Sequence, residues 1–376
     1  MNLSSKKSAT LFSNNFWTLY KFREDVVKLL LKRNYRVNLI GKFDGFEQRF
    51  IDKDVIKYNL NVDERGYNPF KELILFIRIL LLYKKLSSDI YFHFTIKPNI
   101  YGSLSASLLN YKYISFITGL GLIFIRGNSM LKKLIIFIYR LSLMKANEIW
   151  FTNKIDQSEF IKYKIVSSSQ ALKIVPGCGV LTSMTYNGKR KYNMKKILMI
   201  ARLQIEKGVN EYFKLAQKYS ELDYTFTIVG HYNNNDPSKI SFTSFQKLIK
   251  DNVIQHIPFV SNVNSLYDSA DCFILPSYRE GLSTVLIEAA LRKLPIITTR
   301  VPGCIDIIPD ESFGFLCHHS DISSLDDAFL RYKETSSYDL EIMTTKTQEH
   351  VLKNFNRDII INAYSHKIDE IDSKIS

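Results

Sequence analysis

Two acidic residues, Glu280 and Glu288, stand eight positions apart in the stretch "DCFILPSYREGLSTVLIEAA". The run "DCFILP" has the pattern of a buried strand, and the apolar run near the end of the stretch indicates a helix. Gly281 permits a ligand to approach the backbone closely, and Ser283 or Thr284 can cap the helix. Backbone N–H groups and the positive end of the helix dipole then face the loop. The sequence therefore predicts an anion site here.

The second acid, Glu288, lies on a helix that is apolar over much of its girth. Burying a carboxylate without a partner costs several kcal/mol, so we expect hydroxyl donors or a cation beside it. A simpler alternative is an exposed i,i+4 pair between Glu288 and Arg292, worth only about 0.3 to 0.5 kcal/mol. The residues of this helix alone do not choose between the two.

Two cations follow the first strand of the same half, in "ILMIARLQIEKG". Arg202 stands just past the predicted strand end, and Lys207 precedes Gly208 and a helix. Each could be an ordinary surface charge. Two cations at one strand end and a helix-mouth anion site at another strand of the same sheet would together clamp a diphosphate. The combination favours a ligand of the nucleotide type.

Strands and helices alternate along the whole chain of 376 residues, which predicts an α/β fold with two doubly wound parallel sheets. The predicted strands of the first half are 8–14, 36–42, 89–95, 113–119, 148–153 and 171–177, and those of the second half are 196–202, 224–230, 256–260, 271–277, 295–300 and 314–318. We predict domains at 1–185 and 186–355, with a final helix at 356–376 that packs back towards the first domain. The polar, unpatterned segment 181–195 is the expected linker. Ligands of such sheets bind beyond the carboxyl ends of the strands, so the cleft between the domains is the expected active site.

The positive charge is confined to the first half of the chain. Residues 1–190 carry 30 Lys and Arg against 13 Asp and Glu, a net charge of +17, whereas the remainder nets −3. This charge favours binding of an anionic partner, which could be nucleic acid, a membrane surface or a phosphorylated substrate. Alternatively, the lysines serve solubility alone. Two apolar helices flanked by Lys and Arg, "NPFKELILFIRILLLYKKL" and "SMLKKLIIFIYRLSLMK", suit either a membrane interface or packing on a sheet.

The four cysteines, at positions 178, 272, 304 and 317, form no C-x-x-C pair. This spacing predicts neither a zinc site nor a disulfide framework and suits a reducing cytoplasm. The first residues have no apolar core of signal-peptide length, and no run of about 18 apolar residues is present. We therefore expect a cytoplasmic protein without a bilayer-spanning segment.

The motifs "ARLQIEKG", "LPSYREGLSTVLIEA" with its E-x7-E spacing, and "PIITTRVPGCIDII" resemble those of the retaining glycosyltransferases of family 4, which have the GT-B fold of two Rossmann-like domains. "FWTLYKFREDVVKLLLKRNYRV" resembles the opening loop and helix of that family. "TIKPNIYGSLSA" and "ITGLG" resemble its branch that builds capsular, O-antigen and other glycan precursors on polyprenyl-diphosphate lipids. The resemblance covers most of the chain.

The resemblance implies roles for the residues of the second half. Arg202 and Lys207 would bind the donor diphosphate and neutralise it as it leaves. Glu280 would face the donor sugar, and Glu288 would accept hydrogen bonds from the ribose hydroxyls. The backbone amides of the intervening loop would lie near the sugar hydroxyls and phosphate; its residues are Gly281, Leu282, Ser283 and Thr284.

In the first half the resemblance is looser. The opening loop lacks the glycine pair common in the family, and His93 falls inside a predicted strand, earlier than the family's loop histidine. We therefore assign His93 no catalytic role. Acceptor-side candidates are Asn15, Arg23, Lys97 and Asn99.

The implied reaction is transfer with retention of a sugar, an N-acetylhexosamine or hexose, from a UDP-sugar to a polyprenyl-diphosphate-linked saccharide. The acceptor hydroxyl attacks the face that the nucleotide leaves, and the leaving phosphate oxygen takes its proton. No cofactor and no metal is expected. The expected partners are the donor, the lipid-linked acceptor and an anionic membrane surface on the inner face of the cell membrane, where the protein would be peripheral.

Other functions compete with this interpretation. A nucleotide-sugar epimerase of the same architecture is one alternative, because it also binds a UDP-sugar. A D-x-D transferase would use Asp52 and Asp54, but Lys53 and Lys57 indicate a solvated turn. A nucleic-acid-binding protein would suit the basic half, yet its aromatic residues do not interleave with basic ones as in a stacking platform, so we expect no nucleic-acid partner. A NAD-linked dehydrogenase is disfavoured because no G-x-G-x-x-G follows a strand.

Overall fold

The computed structural model describes residues 6–63, 68–119, 130–177, 179, 184–234, 236–260 and 262–373. By its internal contacts the chain divides into two units, one made of Met1–Cys178 with Asp358–Ser376 and the other of Gly179–Arg357. The divisions expected from the sequence, after residues 185 and 355, differ from these by a few positions.

The first unit is built on a seven-stranded sheet in the order β3-β2-β1-β4-β5-β6-β7. The strands are β1 Ser8–Asn15, β2 Arg36–Lys42, β3 Val55–Asn59, β4 Ile90–Phe94, β5 Tyr113–Ile117, β6 Glu148–Phe151 and β7 Leu172–Ile174. Its helices are α1 Phe16–Lys32, α2 Pro69–Leu86, α3 Ser103–Leu108, α4 Met130–Leu143 and α5 Lys154–Lys162, with a π-helical turn at Pro98–Gly102 before α3 and a 3-10 turn at Phe46–Arg49.

The second unit has a six-stranded sheet in the order β10-β9-β8-β11-β12-β13. The strands are β8 Lys196–Ile200, β9 Thr225–Val229, β10 Gln255–Ile257, β11 Cys272–Leu275, β12 Ile296–Thr299 and β13 Phe315–Cys317. The helices are α6 Val209–Tyr219, α7 Phe242–Lys250, α8 Asn264–Ser269, α9 Thr284–Leu291, α10 Ile322–Glu334 and α11 Ser337–Phe355, with 3-10 turns at Ile205–Lys207 and Ser220–Leu222.

Every strand pairing in both sheets is parallel. In each sheet the strand order reverses beside the first strand, so helices cover both faces and a ligand crevice opens where the order reverses. The predicted α/β class with two doubly wound sheets is confirmed.

One edge strand, β3, was not predicted from the sequence. Only its first residue, Val55, is buried, and Lys57 within it donates to the carbonyls of Glu47 and Phe50. The turn predicted just before it is present, and there Asp54 pairs with Lys6. An edge strand with a lysine resembles a polar loop in sequence because one of its sides is solvated.

The predicted linker is wrong for residues 184–195, which pack into the second unit; residues 181–183 lie outside the described part of the chain. The guanidinium of Arg190 donates to the carbonyls of Tyr267 and Arg292 at 2.7 and 2.9 Å and also to that of Ala270. These carbonyls lie at or near the carboxyl ends of α8 and α9, where a cation is favoured by the helix dipole. Because hydrogen bonds anchor this segment, its sequence shows no periodic pattern of apolar residues that would predict the packing.

The last helix, α12 (Arg357–Ser373), packs on the first unit although it follows the second in sequence. Tyr364 is buried with its ring 5.5 Å from that of Phe92 and 4.7 Å from that of Trp150. Lys367 donates to Glu148 at 2.6 Å. Across the described residues, none of the helices combines the length and the apolar character that crossing a bilayer requires.

Candidate active site

Three loops converge where β8, β11 and β12 end, because these strands are neighbours in one parallel sheet. The amide of Tyr278 donates to the carbonyl of Glu206 at 2.8 Å, which joins the first loop to the second. The amide of Glu280 donates to the carbonyl of Pro302 at 3.2 Å, which joins the second to the third. The catalytic and donor-binding residues predicted for the second half lie on the first two of these loops and on α9.

Two glycines permit this close approach. Gly208 has a φ of +71°, and a Cβ built on it would lie 2.1 Å from the carbonyl oxygen of Pro276. Gly303 has a φ of +78°, and its Cβ would lie 2.6 Å from the carbonyl oxygen of Glu280. Both positions therefore exclude a side chain through backbone conformation and through space.

Lys207 and Glu280 contact each other directly. The Nζ of Lys207 lies 2.6 and 2.7 Å from the two carboxylate oxygens of Glu280, and both side chains are largely buried. Ser277 donates to the same carboxylate at 2.6 Å. The sequence suggested separate roles for the two charges and gave no signal that each is the other's partner.

Arg202 stands at the same edge of the sheet, two residues beyond the end of β8, and is exposed. Among the described residues the structure records no hydrogen bond or ion pair for its guanidinium. Because no partner is recorded for it in the described part of the chain, this cation is available for an anionic ligand.

The start of α9 is not capped by the side chain at its N-cap position. Ser283 occupies the N-cap position and is buried, but its side chain makes no capping hydrogen bond. Thr284 begins the helix, and Gly281 and Leu282 before it are partly exposed. The amides of the first turn have no carbonyl partner within the helix, so they form an anion-binding element beside the Lys207–Glu280 pair.

Glu288 is buried, with 7% of its surface exposed, as its apolar neighbours predicted. The hydroxyl of Tyr267 donates to its Oε2 at 3.0 Å. Burial and the neighbouring carboxylate raise the pKa of Tyr267 well above its usual range, so this hydroxyl remains a donor. The alternative pair with Arg292 is wrong, because Arg292 instead binds Asp268 with an Nη1–Oδ1 distance of 3.0 Å.

Tyr278 and Glu211 were missed from the sequence. The Tyr278 hydroxyl donates to Oε1 of Glu211 at 2.8 Å and so ties the loop after β11 to the first turn of α6. These residues are 67 positions apart, and nothing in either local pattern indicates the other. This hydrogen bond holds the loop after β11 against α6.

Two acceptor-side candidates of the first unit, Asn15 and Arg23, lie at the start of α1 and within it. Asn15 ends β1 and caps α1, accepting from the amide and hydroxyl of Thr18 at 2.9 and 2.7 Å. Arg23 is only 3% exposed, and its guanidinium lies 4.4 and 4.6 Å from the ring centroids of Phe94 and Phe116. Both lie near the carboxyl ends of the central strands, where such sheets bind ligands.

The other two candidates follow β4. Lys97 is buried and forms an ion pair with Glu72. Asn99, also buried, donates to the carbonyl of Phe116 at 2.9 Å. All four first-unit candidates therefore have protein contacts, and their roles towards an acceptor stay predictions.

His93, to which no catalytic role was assigned, is fully buried. One ring nitrogen lies 2.9 Å from the hydroxyl of Tyr83 and the other 2.8 Å from that of Ser103. Burial lowers the pKa of His93 to about 3, so the ring is neutral at physiological pH. It is a core histidine of the first unit.

No group of three or more His, Cys, Asp or Glu residues is arranged to hold a metal ion within the described ranges. The thiols of Cys272, Cys304 and Cys317 are free and buried. Cys178 lies outside the described residues.

Two family models match the chain in succession. The model described as "Glycosyl transferase 4-like" matches residues 10–153, and that described as "Glycosyl transferases group 1" matches residues 187–349. The second match contains all three loops of the candidate site.

Curated relatives cover nearly the whole chain at low identity. An N,N'-diacetylbacillosaminyl-diphospho-undecaprenol alpha-1,3-N-acetylgalactosaminyltransferase of Campylobacter jejuni is 23% identical over 94% of this chain and 96% of its own. A capsular polysaccharide biosynthesis glycosyltransferase, CapM, of Staphylococcus aureus is 23% identical over 80% of each chain.

Solved structures share the fold. HepE of Anabaena in complex with UDP-glucose superposes with a TM-score of 0.76 at 13% identity, over 96% of this chain and 99% of its own. WaaG, a glycosyltransferase involved in lipopolysaccharide biosynthesis, superposes with a TM-score of 0.71 at 14% identity, over 95% and 98%. The matched models and the curated relatives show that the chain is a glycosyltransferase, with the group 1 model matching its second unit, and the two parallel sheets and the superposed structures show the GT-B fold.

Proposed function

We propose that this glycosyltransferase moves a sugar, an N-acetylhexosamine or hexose, from a UDP-sugar to a polyprenyl-diphosphate-linked saccharide during surface polysaccharide or glycan assembly. The observation that carries the donor half of the proposal is the edge formed by β8, β11 and β12. There Lys207, Arg202 and the first turn of α9 offer positive charge and amide donors within one set of joined loops.

The diphosphate, the ribose and the sugar of a UDP-sugar each have a matching group at this edge of the sheet. A diphosphate carries negative charge that two cations and a helix N-terminus stabilise. Glu288, one turn deeper on α9, offers a carboxylate that accepts hydrogen bonds from ribose hydroxyls. Glu280 faces the sugar and accepts from its hydroxyls. The uracil base is inferred from HepE, whose structure was solved with UDP-glucose.

The Lys207–Glu280 pair connects donor binding to catalysis. The Nζ of Lys207 lies within hydrogen-bond distance of Glu280, so the carboxylate holds the ammonium in place. As the bond from the anomeric carbon to the phosphate oxygen breaks, charge grows on the diphosphate and Lys207 and Arg202 stabilise it. Preorganised donors of this kind supply the largest single contribution in many enzymes.

The new bond forms on the same face. The acceptor hydroxyl oxygen attacks the anomeric carbon from the side that the diphosphate leaves, and its proton passes to the departing phosphate oxygen. The products are the extended lipid-linked saccharide and UDP, with the anomeric configuration retained. Neither a protein base nor a metal is required by this scheme.

The acceptor half of the proposal is supported by the relatives. The name of the Campylobacter enzyme specifies a sugar on diphospho-undecaprenol, and that of an Escherichia coli relative, 24% identical over 88% of this chain and 87% of its own, specifies GlcNAc-diphosphoundecaprenol. A lipid acceptor would hold the enzyme at the inner face of the cell membrane, and the +17 charge of residues 1–190 suits an anionic surface.

The test is a transfer assay on the full chain with a panel of UDP-sugars and a polyprenyl-diphosphate-linked monosaccharide. We expect one donor to add a single sugar to the lipid by mass spectrometry, with retained configuration by NMR. Conversion of the UDP-sugar to its epimer without transfer would establish the epimerase instead. Salt-sensitive binding of RNA or DNA without turnover of any donor would establish the nucleic-acid function.

A further inference from the structure

Helices α2 and α4 expose apolar side chains that a folded core would be expected to cover. On α2 the exposed set is 45 to 79% accessible: Phe70, Leu73, Ile74, Ile77 and Leu81. On α4 it is 52 to 88% accessible: Met130, Leu134 and Phe137. The spacing of three or four residues places each set in a stripe along one helix face.

Each helix also has a second, buried face that fixes its orientation. On α2 the buried residues are Leu75, Ile79 and Tyr83. On α4 Tyr139 and Leu143 are buried. Both helices are therefore ordinary sheet-packing helices on one side, and the apolar stripes are additional to what the core requires.

The two stripes flank one short segment of the first unit. Both helices contact the turn Pro98–Gly102 and α3. The ring of Phe76 on α2 lies 6.4 Å from that of Tyr101, and Ile135 on α4 packs in the cluster to which Tyr101 also contributes. The two helices thus pack against the same segment, and we expect their stripes to meet one surface.

Positive charge accompanies the stripes. The basic residues exposed on or directly after the two helices are Lys71, Arg78, Lys84, Lys85, Lys133, Arg140 and Lys145. The only acid of α2, Glu72, is paired with Lys97, and α4 contains no acid. A surface that is apolar and cationic, with its one acid neutralised, complements an anionic bilayer: apolar side chains enter the acyl boundary and basic ones remain among the headgroups.

We infer that the faces of α2 and α4 form one docking surface for an anionic lipid bilayer. The inference rests on the proposed function only in that a lipid-linked acceptor gives docking a purpose. It goes beyond general attraction of a basic half, because it assigns binding to two stripes that lie partly within the acyl boundary. Neither helix crosses the bilayer.

Flotation of the full chain with vesicles tests the surface. We expect binding to phosphatidylglycerol–phosphatidylcholine vesicles that weakens with salt, and much less binding to phosphatidylcholine alone. The triple variant Leu73→Gln/Ile77→Gln/Leu81→Gln should bind the mixed vesicles about tenfold or more weakly, from the apolar area lost. Arg78→Gln/Lys84→Gln/Lys85→Gln should bind them about 10- to 100-fold more weakly and lose the preference for anionic lipid.

The matched control replaces equally exposed residues of α11. Tyr338 is 75% and Ile342 52% accessible, and Tyr338→Ser/Ile342→Gln should leave vesicle binding unchanged. Unaltered melting temperatures establish that the variants fold. Equal vesicle binding by the wild type and the apolar triple variant would overturn the inference. It would also be overturned if the wild type did not bind vesicles and instead sedimented as a dimer that the apolar triple variant dissociates.

Its failure is distinguishable from failure of the proposed function. Transfer to a short-chain acceptor in detergent-free solution does not need a bilayer, so the apolar variant should retain that activity. Transfer without vesicle binding would contradict only the inferred docking surface. Vesicle binding without transfer from any UDP-sugar would contradict only the proposed function.

Discussion

Replacing Lys207 with methionine should lower kcat/KM for sugar transfer by about 10²- to 10³-fold, the usual cost of losing one preorganised donor to developing charge. The ammonium is held by both carboxylate oxygens of Glu280, so it contributes without reorganisation when the diphosphate departs. Methionine keeps much of the side-chain volume and removes the charge. Because the interaction strengthens in the transition state, kcat should fall together with kcat/KM.

Steady-state kinetics on the variant measures this loss, with Lys214→Met as the control. Lys214 is an exposed lysine of the same unit on α6, away from the three loops, and its replacement should change kcat/KM less than about twofold. A Lys207→Met enzyme that is folded and retains wild-type kcat would show that the diphosphate leaves elsewhere.

Replacing Gly208 with alanine should destabilise the second unit by roughly 2 to 6 kcal/mol. The positive φ costs a side chain about 1 to 3 kcal/mol, and a Cβ 2.1 Å from the carbonyl oxygen of Pro276 adds overpacking of similar size. Any relief must move Pro276 away, which separates the loops that carry Lys207 and Glu280. The variant should therefore also lose most of its transfer activity at temperatures where it remains folded.

Thermal unfolding followed by circular dichroism tests the stability loss, and Gly45→Ala separates strain from crowding. Gly45 also has a positive φ, +92°, but a Cβ there would meet nothing within 4 Å. Gly45→Ala should thus show only the conformational cost, about 1 to 3 kcal/mol. Equal effects of the two substitutions would mean that the contact with Pro276 does not hold the loops together.

Most of the architecture follows from local patterns. Apolar runs bounded by polar turns predicted twelve of the thirteen strands found in the described residues, because strands of a parallel sheet are buried on both faces and read as continuous apolar segments. The exception, β3, is an edge strand with one solvated side. The segment 184–195 was wrongly predicted to be a linker because Arg190 anchors it through hydrogen bonds to backbone carbonyls, which leave no periodic apolar pattern in the sequence.

The candidate site was predictable in its residue types but not in its pairings. Helix position and apolar neighbours indicated that Glu288 is buried, yet its donor, Tyr267, lies 21 residues earlier on a different helix. The pairing of Lys207 with Glu280 joins positions 73 apart. Such partners are set by which strands become neighbours in the sheet, and local spacing contains no information about that order.

The central claim is that the edge beyond β8, β11 and β12 binds a UDP-sugar with Glu288 on the ribose. The most direct measurement is the thermal shift of the chain with UDP and UDP-sugars, on the wild type, Glu288→Ala and Glu288→Gln. Ligand at about 100 times its Kd should stabilise the wild type by roughly 2.7 kcal/mol. Gln can still accept from Tyr267, so it separates loss of the carboxylate from loss of packing.

We expect UDP-sugars to raise the melting temperature of the wild type, the response to vanish in Glu288→Ala and to shrink in Glu288→Gln. Arg292→Met is the control, because the side chain of Arg292 binds Asp268 and not Glu288, and this variant should keep the full response. If no UDP compound shifts the wild type, or if Glu288→Ala responds as strongly as the wild type does, the assignment of this edge to the donor is contradicted.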